Sequence, residues 1–269
     1  MNIFQGLIYG AISGVSHFLP VPAVANQTVL LKLFGASQRD HLCDAIVHIC
    51  ILLSLLVSAK GLFDQMQYDP RRRSSHHTKN TYISATRRFY KNSSYCCIPV
   101  LIALLLSLRL EVNYLLVSFF LTLNGFLLFI PCRMYQGNKD IRSVSRLDSF
   151  LFGVANALSA VPGFSGIGCS ISVAVMRGVD RNCVVNWILL LSLPTLVVLS
   201  GSDIIFLITN WNTIVFGSVF SYLFAGVFAF VGGLCSISLL RLIARKAGFH
   251  DFAFYSWGLA LLMLILFLI

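Results

Sequence analysis

The sequence predicts an all-α integral membrane protein of six transmembrane helices and two re-entrant helical hairpins, arranged as an inverted-topology repeat. Three observations carry that prediction. Hydrophobic residues make up 57% of the 269 and charged residues only 11%, with a mean hydropathy of +0.83, where a soluble domain carries about 25% charged residues. One broken apolar stretch occurs twice, at corresponding places in the two halves. All but three of the 20 lysines and arginines fall on one side of the predicted membrane.

The broken stretch is Gly10-Ala11-Ile12-Ser13-Gly14-Val15-Ser16-His17-Phe18-Leu19-Pro20-Val21-Pro22, and its second copy is Gly153-Val154-Ala155-Asn156-Ala157-Leu158-Ser159-Ala160-Val161-Pro162-Gly163-Phe164-Ser165. Each interrupts an apolar segment with Pro, Gly and Ser, and each leads into a short apolar arm ending at Gly35 or Gly178. Broken segments at matching positions in two halves point to a binding site built at the repeat interface. Arms of about a dozen residues cannot cross a bilayer, which needs about 20. Residues 2–35 and 148–178 are therefore expected to enter the membrane and turn back, with their tips meeting near its midplane.

The remaining elements follow in order. Spans are expected at 41–63, 95–109, 114–132, 183–201, 213–240 and 251–269, since uninterrupted apolar runs satisfy their backbone in lipid as helices. A polar, basic loop occupies 64–93. The whole chain reads as one membrane domain, with repeat 1 over about 1–133 and repeat 2 over about 148–269. Met1 to Gly10 lacks a basic stretch and a small-residue cleavage site, so no cleaved signal peptide is expected.

Charge orients the molecule. With the 64–93 loop in the cytoplasm, only Lys32, Arg39 and Arg109 of the 20 lysines and arginines fall on the opposite side. That satisfies the positive-inside rule and places both termini and Glu111 outside. Topology thus accounts for the net charge of +10 without nucleic acid as a partner. Arg109 with Glu111 and Lys32 with Arg39 read as interfacial groups reaching to water. Arg71, Arg72, Arg73, His76 and His77 read as a solvated loop beside anionic lipid. The eight cysteines form no C-x-x-C pair and no Cys/His metal spacing, and read as buried apolar thiols.

Gly14, Phe18-Leu19-Pro20-Val21, Gly35, Pro162-Gly163-Phe164-Ser165, Gly178-Val179 with Arg181, and residues 256–268 together resemble the undecaprenyl-diphosphate phosphatase family of the bacitracin-resistance type, over nearly the full chain. The resemblance implies the same fold. It also implies a place in the inner (plasma) membrane of a bacterium and a role on the polyprenyl diphosphate carrier of cell-wall synthesis. The family's first motif ends Leu-Pro-Val-Ser-Ser-Thr-Gly-His after two glutamates. Its glutamates fall on Ser13 and His17, its serines on Pro22 and Ala23, and its histidine on Asn26. The second motif, Pro-Gly-Phe-Ser-Arg-Ser-Gly-x-Thr, reads Pro162 to Ser170 here, with Gly166 in place of the arginine.

These substitutions bear on the chemistry. Phosphoryl displacement needs charge neutralisation, a nucleophile and proton handling. Ala23 and Asn26 supply neither nucleophile nor base, and Gly166 supplies no clamp. The resemblance also implies a divalent cation, but the carboxylates that would hold it are missing at Ser13 and His17, so no metal site of the family's kind is expected there. Two candidate sites remain. Gly163, Ser165, Gly166, Gly168 and Ser170 open a helix N-terminus that can bind phosphate through its N–H groups, or else simply let two hairpin tips pack. His17, Asp44 and His48 form the other. Asp44 and His48 stand i, i+4 on one helix face, so the three can act as catalytic acid and base, handle protons or hold a metal, or serve as an internally satisfied polar tie. The functional readings are a divergent lipid-diphosphate phosphatase, a catalytically silent protein that binds or moves polyprenyl phosphate, and a structural membrane subunit.

Overall fold

Asn2 opens the chain with a reciprocal cap: its side chain accepts from the Gln5 N–H at 2.8 Å while the Gln5 side chain accepts from the Asn2 N–H at 2.9 Å. The computed structural model describes residues 1–35, 40–67, 84–85, 87–95, 98, 101–102, 113–134, 137–139, 143–211, 219–246 and 249–268. Among them, besides helical residues at 87–95, are the α-helices α1 (Ile3–Phe18), α2 (Ala23–Leu33), α3 (His41–Gln67), α4 (Tyr114–Phe129), α5 (Arg146–Ala157), α6 (Gly166–Met176), α7 (Arg181–Thr209), α8 (Val219–Lys246) and α9 (His250–Leu268), with 3₁₀ turns at Ile130–Arg133 and Leu158–Ala160.

Among the described residues, four stretches are long and apolar enough to cross a membrane: His41–Ala59, Val184–Thr209, Val219–Ile243 and His250–Leu268. They coincide with four of the expected spans. The expected 114–132 span is shorter, because the α-helix ends at Phe129 and Pro131 sits in the 3₁₀ turn that follows. The expected 95–109 span, most of the 64–93 loop, and the Arg109–Glu111 and Arg71–His77 groups lie mainly or wholly outside the described residues. The outward faces are apolar, with Leu53, Leu56 and Val57 on α3, Phe220, Leu223 and Val227 on α8, and Leu261, Phe267 and Leu268 on α9 all exposed. Such a surface suits hydrocarbon, not water.

Each broken stretch is a helical hairpin. In the first, α1 is 16 residues long, more than the expected dozen; Leu19 to Pro22 form the break and the 11-residue α2 runs back beside α1. In the second, α5 passes through the 3₁₀ turn and Pro162-Gly163 into α6, also 11 residues. The two return arms end alike. Gly35 has φ +69° and Gly178 φ +77°, left-handed positions that favour glycine and close a helix C-terminus.

Small residues set the tightest packing. Gly6, Gly10 and Gly14 recur every four residues on α1 and face Ser221, Ala225 and Ala229 on α8; a Cβ on Gly10 would lie 2.0 Å from the Ala225 carbonyl oxygen. Ser221 Oγ donates to Asn2 O at 2.9 Å and Ser236 Oγ to Gly14 O at 3.3 Å across the same seam. Close backbone approach of this kind holds helices together in lipid, where hydrophobicity alone cannot. Elsewhere α3 lies against α7 and α8, and α4 against α9. There the indole of Trp257 covers Gly125 and its N–H donates to Thr122 O at 3.2 Å.

The base of the second hairpin is cinched by charge. Asp148, fully buried, receives Arg177 Nε at 2.5 Å, Lys139 Nζ at 3.4 Å and the Ser145 N–H at 3.0 Å. Burial pushes the Asp148 carboxyl up, but the Ser145 backbone, Arg177, the Ser145 hydroxyl and Lys139 outweigh it and hold the carboxyl at about 2. A bridge between Lys139 and Val179 completes the closure.

Candidate functional site

The two hairpin tips touch. Ser165, which caps α6, accepts the Gly168 N–H on its hydroxyl oxygen at 3.1 Å and donates that hydroxyl to Leu19 O, in the first tip, at 3.4 Å. A Cβ on Gly168 would come within 3.2 Å of Pro20 Cβ. The Ser165 N–H donates to Asn124 Oδ1 at 3.0 Å, and Asn124 Nδ2 donates to Ser256 Oγ at 3.0 Å. Asn124 is wholly buried, so one amide from α4 pins the second tip and ties it to α9. The sequence reading did not single out Asn124; its signal was an amide inside an otherwise apolar run, which in lipid must find partners.

In the first hairpin, Ser13 and Asn26 are each held by polar partners. Gln27 Nε2 donates to Ser13 Oγ at 3.1 Å, Asn26 Nδ2 donates to Ser16 Oγ at 2.9 Å, and the Tyr255 hydroxyl donates to Asn26 Oδ1 at 2.6 Å. Ser13, Ser16, Asn26 and Gln27 are all buried, and buried polar groups in such a ladder fix geometry. Ala23 opens α2 and brings only a methyl group.

In the second hairpin the glycines are packed. Gly163, at φ +108°, lies against Phe120 and the Val117 carbonyl, and a Cβ on Gly166 would fall 2.6 Å from Asn156 O and 2.7 Å from Ser159 Cβ. Asn156 itself accepts from Thr195 Oγ1 at 2.6 Å. No described group bonds the hydroxyl of Ser170, which is wholly buried, or that of Ser159. The Gly168 N–H is already taken by Ser165.

The structure divides the group of His17, Asp44 and His48. Asp44 accepts the hydroxyl of Tyr9 on α1. His48 pairs instead through Nδ1 with Asp203 Oδ2 on α7, at 2.6 Å, with both side chains about one-fifth exposed or less. His17 lies edge-on to His48, ring centres 6.3 Å apart. Asp203 had not been singled out, although an acid within the apolar α7 was a legible signal. Among the described residues no three His, Cys, Asp or Glu side chains stand together as metal ligands. With Ser13 engaged by Gln27, the residues present do not fit the divalent cation that the resemblance implies.

Residues 6–262 match the model of the family described as bacitracin resistance protein BacA. Curated relatives named undecaprenyl-diphosphatase include one from Syntrophotalea carbinolica, 27% identical, covering 96% of each chain. Another, from Treponema denticola, is 26% identical and covers 95% of this chain and 94% of its own. A third, from Carboxydothermus hydrogenoformans, is 24% identical and covers 99% and 98%.

Proposed function

The chain belongs to the family of the bacitracin resistance protein BacA, and from that premise we propose that it binds the phosphorylated head of a polyprenyl carrier lipid in the membrane without running the family's hydrolysis by the family's groups. One observation carries the second half. The positions that match the reacting residues are committed to structure: Ser13 to Gln27, Asn26 to Ser16 and Tyr255, and Gly166 to the backbone of Asn156. A clamp, a nucleophile and a base that are both absent and built over cannot stabilise a phosphoryl-transfer transition state. Support for the first half is the family itself and the meeting of the tips, with the Gly166 end of α6 beside Pro20 and the buried Ser170 hydroxyl in the same arm. The name undecaprenyl-diphosphatase on the relatives supplies the lipid class.

The membrane arrangement belongs to the same reading. The hairpins are re-entrant, repeat 2 inverts repeat 1, both termini face outside, and the membrane is the inner membrane of a bacterium. The like ends at Gly35 and Gly178, and the packing of α3 on α7 and α4 on α9, each the counterpart of the other in chain order, support it. Such symmetry also suits movement of the lipid between leaflets.

The test is phosphate release from a polyprenyl diphosphate by purified protein, with and without divalent metal, beside direct binding of the same lipid. Binding is expected. Release is expected to be at least about 10³-fold slower than from a relative with the full motif, since removing one charge-stabilising donor alone costs about 10²–10³. Turnover within tenfold of that relative, lost on changing His17 or His48, would establish a rearranged active site instead.

A further inference from the structure

Asp40, just before α3, and Asp44 and His48 within it follow one another at four-residue spacing and lie on one face. Their partners come from three other helices. Tyr222 of α8 donates its hydroxyl to Asp40 at 2.8 Å, Tyr9 of α1 donates to Asp44, and Asp203 of α7 meets His48 at 2.6 Å. The first two are carboxylates satisfied by phenols. The third joins two groups that both change charge, with a second imidazole, His17, at its edge.

What His17 adjoins gives this its meaning. His17 is the penultimate residue of α1, three before Pro20, which packs against the Gly168 position of the other tip. Residues 13–31 and 149–176, which hold both tips, contain no Lys, Arg, Asp or Glu. An imidazolium at His17, or at His48 beside it, is therefore the positive charge that titration can bring to the tips.

We propose that Asp203, His48 and His17 form a proton-binding site beside the junction of the hairpin tips, and that its proton strengthens binding of the anionic lipid head; the linkage rests on the lipid-binding reading above. The Asp203 carboxylate holds Nδ1–H of His48 and makes Nε2 the exchanging atom. One proton enters from water, is held on one of the two imidazoles and returns to water when the lipid leaves. The other titratable groups on the facing stretches are Tyr9 on α1, His41, Cys43, Asp44 and Cys50 on α3 with Asp40 just before it, and Tyr222 on α8. Tyr222 and Tyr9 donate to Asp40 and Asp44, and Asp203 meets the His48 imidazole directly.

The experiment measures binding of farnesyl diphosphate to the purified full chain in nanodiscs from pH 5 to pH 8.5. Affinity should fall about tenfold or more as pH rises, since a one-unit difference in proton affinity between lipid-free and lipid-bound forms is a tenfold linkage. His17→Gln should flatten the profile to the ligand's own titration. Asp203→Asn should move the midpoint down by about 1–3 pH units, as loss of an adjacent carboxylate does, and Asp203→Glu should bring it back. Profiles of wild type and His17→Gln that run parallel would overturn the linkage. Should no form bind at any pH, the lipid reading fails by itself, and ¹⁵N shifts of His17 and His48 in lipid-free protein decide the site. Two imidazoles titrating together, with a midpoint lowered in Asp203→Asn or His48→Gln, support the site. Independent titration unmoved by either variant would overturn it.

Discussion

Ser165 Oγ lies 3.4 Å from the carbonyl oxygen of Leu19, across 146 residues of chain. That contact joins two chain breaks, and the same serine accepts from Gly168 and donates its own N–H to Asn124. Ser165 is thus a cap, a cross-link and the guest of a buried amide at once.

Asn124 is expected to dominate the stability of this junction. Asn124→Leu removes the acceptor of the Ser165 N–H and the donor to Ser256, leaving buried polar groups unmatched at about 1–3 kcal/mol. A drop of several degrees in the midpoint of thermal unfolding in detergent is expected. An unchanged midpoint would show that water replaces the amide.

The α1–α8 seam should not accept a single methyl. Gly10→Ala places Cβ about where the Ala225 carbonyl already stands, 2.0 Å away, so the helices must separate, at about 1–3 kcal/mol or more. Gly201→Ala in α7 is the control, because nothing lies within 4 Å of its Cβ and alanine favours a helix by up to about 1 kcal/mol. Unfolding midpoints should move in opposite directions, and equal shifts would mean that α1 and α8 are not tightly seated.

Acid should undo the lock at the base of the second hairpin. The Asp148 carboxyl is held at about 2 against an ordinary 3.8. A carboxylate with a lowered value contributes stability that is complete above its unfolded value and is lost as pH falls through the folded one. Wild type should therefore melt above Asp148→Asn at neutral pH, with the gap closing between about pH 4 and pH 2. A gap independent of pH would assign the loss to packing.

Restoring the family arginine should fail for a steric reason. In Gly166→Arg the Cβ itself meets Asn156 O at 2.6 Å and Ser159 Cβ at 2.7 Å, before the charge finds any partner. The variant should show a lowered unfolding midpoint and no phosphate release, even with Glu at 13 and 17, Ser at 23 and His at 26. Activity in that fivefold variant would mean that the second hairpin opens readily enough to rebuild the site.

Both breaks, their return arms and four of the spans were legible in the sequence because each rests on local physics. Proline and glycine interrupt a helix wherever they occur, left-handed glycines at 35 and 178 end one, and an apolar run in lipid has to be helical. The pairings were not legible. Asp44 and His48 share a helix face, yet each takes its partner from a facing helix, Tyr9 on α1 and Asp203 on α7. Which helix faces which is decided by close backbone approach, as of Gly10 to Ala225, and by buried amides such as Asn124 that have no water to turn to. The four-residue recurrence of Gly6, Gly10 and Gly14 was present in the sequence, but only the packed structure shows that α8 fills it. The substitutions at 13, 23, 26 and 166 could be read as losses from the sequence alone. That Ser13, Asn26 and Gly166 have become structural ties follows from contacts with Gln27, Tyr255 and Asn156, which tertiary packing alone brings into reach.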